Sequence, residues 1–99
     1  PCDRFVFEGF LPVKKGRRTR LAALRTEDRT MVFYESPHRL RRTLSDLCQT
    51  FGGDHPASVS REISKLHEET LRDTLAGLVA HFEHHEPRGE FVLVVGGVS

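Results

Sequence analysis

The segment from Thr30 to Arg39, TMVFYESPHR, leaves the chain little freedom in what it can fold into. Met31, Val32, Phe33 and Tyr34 form an unbroken apolar run bounded by polar residues. Such a run suits an interior strand with both faces covered. Ser36 carries a side chain suited to cap a helix, and Pro37 has the fixed φ of a first helical residue, so the strand is expected to pass straight into a helix. Leu40, Leu44, Leu47, Cys48 and Phe51 then recur as one apolar stripe that stops at Gly52-Gly53. A strand feeding an amphipathic helix is the building unit of layered α/β domains.

The remaining segments repeat that alternation. Arg4 to Phe10 is aromatic and β-branched and reads as a strand ended by Gly9 and Leu11-Pro12. Residues 17–27 suit a short helix with Leu21 and Leu24 inward and Arg17, Arg18, Arg20 and Arg25 mostly outward. Ala57 to Glu62 reads as a third strand. Glu68 to Thr74 fits either a fourth strand or a turn and helix start. Leu75, Leu78, Val79 and Phe82 mark a helix weakened by Gly77. Phe91 to Val95 is an interior strand closed by Gly96-Gly97.

A chain of 99 residues has room for one domain with a modest core. Its 37% apolar and 29% charged residues belong to a soluble globular piece. No apolar run approaches the ~18 residues that span a membrane, and no secretory segment opens the chain. The start at Pro1 without a Met gives the expectation of a piece of a longer protein. Cys2 and Cys48 make no disulfide framework, and Cys48 falls on a helix stripe where buried thiols are common, which points to a reducing, cytoplasmic setting. The net charge of +1 conceals a split: residues 1–42 hold eleven Lys/Arg and five Asp/Glu, a balance of +6, while residues 43–99 hold four and nine, a balance of −5. A basic half of that kind suits a polyanion.

Several kinds of chemistry lack their residues. The eight glycines form neither GxGxxG nor a phosphate-binding Walker loop. His81 and His85 lie one helical turn apart, but a metal site would need a third ligand and supporting partners, and a solvated helix end explains them better. Ser36 is better placed as a cap than as a nucleophile. The basic clusters are more telling. Lys14, Lys15, Arg17, Arg18 and Arg20 crowd one helix start, and His38, Arg39, Arg41 and Arg42 crowd another. Cations there oppose the helix dipole, so helix stability does not explain them, whereas phosphate contacts do. Few exposed aromatics are expected beside them, so backbone positioning rather than base stacking is implied. A third cluster, Arg61 to Glu69, begins at a strand end, where α/β sheets gather their ligands.

Four blocks in order carry a resemblance: EGFLPVKKGRR at 8–18, TMVFYESPHRL at 30–40, SREISKLHEET at 60–70 and GEFVLVVGG at 89–97. Together they resemble the tetrapyrrole (corrin/porphyrin) methylase family, in particular its branch that modifies small-subunit ribosomal RNA. The resemblance covers essentially the whole chain. It implies an α/β, three-layer domain with a mixed, about five-stranded sheet flanked by helices, the second of two such domains. That favours a strand at Glu69 to Thr74. The first domain, with its glycine-rich loop, would lie outside the chain, and relatives are often dimers. The implied cofactor is S-adenosylmethionine, held between the domains, and the implied reaction is 2′-O-methylation of a cytidine in small-subunit ribosomal RNA. A family member acting on a corrinoid or other small molecule, or an RNA-binding domain without activity, are the competing expectations; the Arg-rich helix starts argue against a small substrate.

Carried over by position, the resemblance puts Tyr34 and Glu35, Glu62 and Ile63, and Gly89 and Glu90 along the cofactor cleft, with Glu62 a candidate acceptor for the ribose hydroxyl proton. Lys14, Lys15, Arg17, Arg18, Arg39, Arg42 and Lys65 are the expected phosphate contacts. Two departures stand out. Glu35 replaces the Met of a Tyr-Met pair, and Leu71-Arg72-Asp73-Thr74 replaces a more usual Arg-Gly-(Thr/Pro).

Overall fold

The computed structural model describes residues 4–98, apart from the side chain of Ile63. Five strands and three helices alternate: β1 (Phe5–Phe10), α1 (Arg17–Leu24), β2 (Thr30–Glu35), α2 (Leu40–Phe51), β3 (Pro56–Ser64), β4 (His67–Thr74), α3 (Leu75–His84) and β5 (Phe91–Val95). The strand order is β1-β2-β5-β3-β4. β1 and β2 are parallel, and β5 pairs antiparallel with both β2 and β3. β3 and β4 form an antiparallel hairpin, so residues 68–74 are a strand. Thr74 ends that strand and caps α3, its hydroxyl accepting the Gly77 N–H at 3.1 Å.

The mixed five-stranded sheet flanked by helices forms as expected, but its layers number two rather than three among the described residues. Each helix joins two parallel strands, and right-handed crossovers along this strand order place all three on one face. α2 accordingly packs against both α1 and α3. Met31, Phe33, Leu93, Val95 and Val59 point to that face and meet Leu40, Leu44, Leu47, Leu75, Leu78 and Phe82 in one core. The continuous apolar run of β2 therefore hides an alternation. Val32 and Tyr34, with their partners Val94 and Val92, face the other side and stay half-buried or exposed.

A β-bulge shapes that open face. Phe7 is level with Val32, but Gly9 is level with Phe33 and Phe10 with Tyr34. Without the extra residue, Phe7 and Phe10 would face opposite sides. With it, taken up at Gly9 where φ is +65°, both rings join Tyr34 on the open face. Phe5, Phe7, Phe10 and Tyr34 are all exposed, and the groove lined by Lys14, Arg18 and Arg42 has no aromatic in its lining.

The link from β2 to α2 also differs from expectation. Ser36 is not the cap and Pro37 is not the first helical residue. Residues 36–39 make a turn, closed by the Arg39 N–H to Ser36 O at 3.2 Å, and the helix starts at Leu40. The reason is Glu35, whose carboxylate takes the Ser36 N–H at 2.8 Å and holds the chain in that turn. α1 ends at Leu24, three residues short of the expected Glu27.

Candidate active site

β2 and β3 end, and β5 begins, at one end of the sheet. Their residues there line a cavity of about 600 Å³ on the open face, among them Phe10, Tyr34, Glu62, Glu68 and Glu90. Tyr34 is braced edge-on by Phe7 and Phe10, with ring centroids 5.0 and 5.6 Å away. Arg61 ties the end of β3 to the segment before β5: its guanidinium donates to Arg88 O at 3.2 Å and meets Glu69 at 3.3 Å. Gly89, at φ +84°, lies against the Glu62 backbone: a Cβ there would come within 3.9 Å of Glu62 O. The expected residues Tyr34, Glu62, Gly89 and Glu90 thus come from three strands to one place. The side chain of Ile63 lies outside the described residues.

Glu35 does not belong to this cavity. Tyr34 takes the open face, so the pleat turns Glu35 toward the helices. There it is 2% exposed and accepts from Thr43 Oγ1 at 2.6 Å and from the Ser36 N–H. Its departure from the family pattern makes a buried structural tie, not a cofactor contact.

The carboxylates of Glu62, Glu68 and Glu90 outnumber the one cation in the cavity, Arg61, whose charge Glu69 already meets. Such a cavity attracts cations and repels phosphate. Its aromatic side at Phe10 and Tyr34 offers ring faces and apolar area.

The basic residues divide by what they touch. Arg17 was expected on the surface but is 4% exposed. Its guanidinium donates to Asp46 at 2.8 Å, Pro12 O at 3.0 Å and Thr43 Oγ1 at 3.0 Å, which leaves it no reach for phosphate. Arg20 pairs with Glu8 at 2.6 Å, and Arg39 sits 3.5 Å from Glu35. Arg41 donates to Phe82 O at 2.6 Å and closes the last turn of α3. Lys14, Arg18 and Arg42 line a groove between α1 and α2, where they are joined by Arg25. Lys15 is exposed nearby, and Lys65 is exposed in the β3–β4 turn. Among the described residues no three His, Cys, Asp or Glu side chains form a metal-ligating group, and the His81 and His85 rings stack with centroids 4.1 Å apart.

A mixed five-stranded sheet of this order, with helices packed on it and a polar cavity at one end, defines an α/β domain. The chain belongs to the tetrapyrrole (corrin/porphyrin) methylases, whose family model matches residues 2–79. It is 46% identical to the ribosomal RNA small subunit methyltransferase I of Synechocystis over 98% of its own length and 35% of that protein. With the protein of the same name from Thermotoga maritima it shares 43% identity, covering 98% of the chain and 43% of the relative. The chain therefore spans about two-fifths or less of these curated relatives. Among solved structures, cobalt precorrin-4 methyltransferase superposes with a TM-score of 0.67 at 15% identity, over 93% of this chain and 39% of that one. The methyltransferase CobJ superposes with a TM-score of 0.64 at 17% identity, over 96% and 41%. These likenesses place the fold. No helix among the described residues is long and apolar enough to cross a membrane.

Proposed function

We propose that the chain forms one wall of an S-adenosylmethionine-dependent methyltransferase site that 2′-O-methylates a cytidine of small-subunit ribosomal RNA in the cytoplasm. The observation that carries this reading is the meeting of Tyr34, Glu62 and Glu90 in one cavity, from β2, from β3 and from just before β5. The names of the relatives at 43–46% identity supply the substrate class. A second α/β domain of the same protein would supply the facing wall, and a homodimer of that two-domain protein is part of the reading.

The residues present fit such a cofactor. Phe10 and Tyr34 offer a flat apolar side to an adenine, and the carboxylates of Glu62 and Glu90 suit ribose hydroxyls and a positive centre. S-adenosylmethionine would supply a methyl carbon activated by the sulfonium to which it is bonded. The braced Tyr34 ring limits how the reactants lie, and alignment is the larger part of what such a displacement needs. Glu62 would accept the proton that the ribose O2′ gives up when it takes the methyl group from the sulfonium, whose sulfur would leave as a neutral thioether.

The test uses the complete gene product. Calorimetry should show cofactor binding that Tyr34→Ala weakens about tenfold or more, an amount matching the loss of one ring contact and its packing. Mass spectrometry of ribosomal RNA from a deletion strain should show a missing cytidine 2′-O-methyl group that the wild-type gene restores and Glu62→Gln restores poorly. Full methylation in the deletion strain refutes the reading.

A further inference from the structure

The cations of this domain can be sorted by whether the fold already uses them. Arg17, Arg20, Arg39 and Arg41 each hold a named internal partner. Arg29 is held by Glu27 at 2.9 Å, and Arg61 by Glu69. Lys14, Arg18 and Arg25 form no ion pair among the described residues. Arg42 has only a 3.9 Å approach to Asp46, whose carboxylate is already committed to Arg17 at 2.8 Å. Arg4, Lys15, Lys65 and Arg72 also form no ion pair among the described residues, but Lys14, Arg18, Arg25 and Arg42 stand together. They line a single groove of about 580 Å³ between α1 and α2.

We propose that this α1–α2 groove is a binding site for the phosphate backbone of RNA, separate from the methylation cavity. The proposal rests on the ribosomal RNA reading above and adds to it a second point of contact. α1 and α2 lie on the covered face of the sheet, while the cavity of Tyr34 and Glu62 opens on the other face. The two sites also differ in sign: the groove holds four cations besides the Arg17–Asp46 pair, and the cavity presents three carboxylates against one engaged cation. Phosphate is therefore drawn to the groove and kept from the cavity.

The dimensions agree with a backbone track. Arg18 and Arg25 are seven residues apart, about 10 Å of rise along α1, and a nucleic-acid strand carries one phosphate per ~3.4 Å. Groove and strand thus meet over more than one phosphate. Leu21 and Ala22 add apolar lining between the cations, and Gln49 and Thr50 add polar groups, so the charges anchor RNA through its phosphates. RNA held there reaches the cavity by passing round the end of the sheet, where both α1 and α2 begin.

The experiment measures anisotropy of a fluorescein-labelled RNA hairpin from the small subunit, titrated with the complete gene product at several KCl concentrations. The variants are Arg18→Ala/Arg25→Ala and, as a control of equal sign at an exposed site on β4, Arg72→Ala. The double variant should lower affinity about tenfold or more and reduce the salt slope by about two, one unit per lost phosphate contact. Arg72→Ala should leave both unchanged. Affinity for S-adenosylmethionine should stay at the wild-type value in both variant proteins. An unchanged slope in the double variant overturns the groove, as does an equal loss in Arg72→Ala or displacement of the RNA by polyglutamate at equal charge. Groove variants that bind RNA like wild type while the wild type methylates ribosomal RNA overturn this inference alone. A wild type that loses RNA affinity on groove substitution but methylates no ribosomal RNA overturns the function and leaves the groove standing.

Discussion

Replacing Glu35 by Ala should unfold much of what β2 and α2 hold together. The carboxylate is 2% exposed and sits at the centre of a chain of bonds. It accepts from Thr43 Oγ1 at 2.6 Å and from the Ser36 N–H at 2.8 Å, and Thr43 Oγ1 in turn accepts from Arg17 Nη2 at 3.0 Å. Truncation leaves the buried Thr43 hydroxyl and the half-buried Ser36 amide without their acceptor. Each orphaned donor costs about 1–3 kcal/mol. It also weakens the environment of the buried Arg17 guanidinium, so the sum is about 3–5 kcal/mol. That is a large share of the ~5–15 kcal/mol typical of a domain, and at ~4–8 °C per kcal/mol it lowers Tm by roughly 12–40 °C. Glu35→Gln keeps the shape and one acceptor and should lose about half as much. Urea unfolding followed by circular dichroism gives both values, and a cycle with Thr43→Val should show a coupling of about 1–3 kcal/mol. A Glu35→Ala protein within 1 kcal/mol of wild type at unchanged m-value, using the free-energy scale above, or strictly additive cycle energies, would refute the account.

Three further outcomes follow from local geometry. A Cβ on Gly97 would overlap the backbone carbonyls of Asp28 and Arg29, so Gly97→Ala should cost about 1–3 kcal/mol, whereas Gly96→Ala, whose nearest atom is Pro56 Cγ at 3.4 Å, should be near neutral in the same melts. Thr74→Ala removes the cap on the Gly77 N–H and should cost about 1 kcal/mol, with amide exchange quickening first in the opening turn of α3. The hydrogen bonds from Arg29 hold the Glu27 carboxyl at a pKa of about 2, below its ordinary 4.5. A lowered folded-state pKa means that the pair stabilises the fold above about pH 4.5 and loses that contribution as pH falls toward 2. Arg29→Ala should return the NMR titration of Glu27 to the ordinary carboxylate range.

The elements themselves were readable because their signals are local. β2 and β5 begin and end where an apolar run meets polar or glycine residues, and the α2 stripe stops at Gly52, whose φ of +102° ends the helix. What escaped reading depends on partners distant in sequence. The inward turn of Arg17 answers to Asp46, 29 residues away. The exposure of Phe5, Phe7 and Phe10 depends on β1 being an edge strand with a bulge, and no helix lying over that face. The cavity was half legible: Tyr34, Glu62 and Glu90 meet there with Gly89 close to the Glu62 backbone, but Glu35 was placed with Tyr34 although adjacent strand residues face opposite ways. That alternation was available in the sequence. Arg25 was missed as a groove residue because only the packing of α1 beside α2 brings it level with Arg42.

The position of β5 has a bearing on how the domain comes into being. It is the last strand made, yet it lies in the middle of the sheet, between β2 and β3. Until it emerges from the ribosome, β1 and β2 form one pair and β3 and β4 another, with the seam between them open. Leu93 and Val95, the side chains that fill the centre of the core, arrive with that same strand. The hairpin of β3 and β4 closes early because its contacts are local, while the joining of the two halves waits for the longest-range pairings in the chain. Synthesis of this domain thus passes through two waiting half-sheets, and a single five-residue strand locks them together.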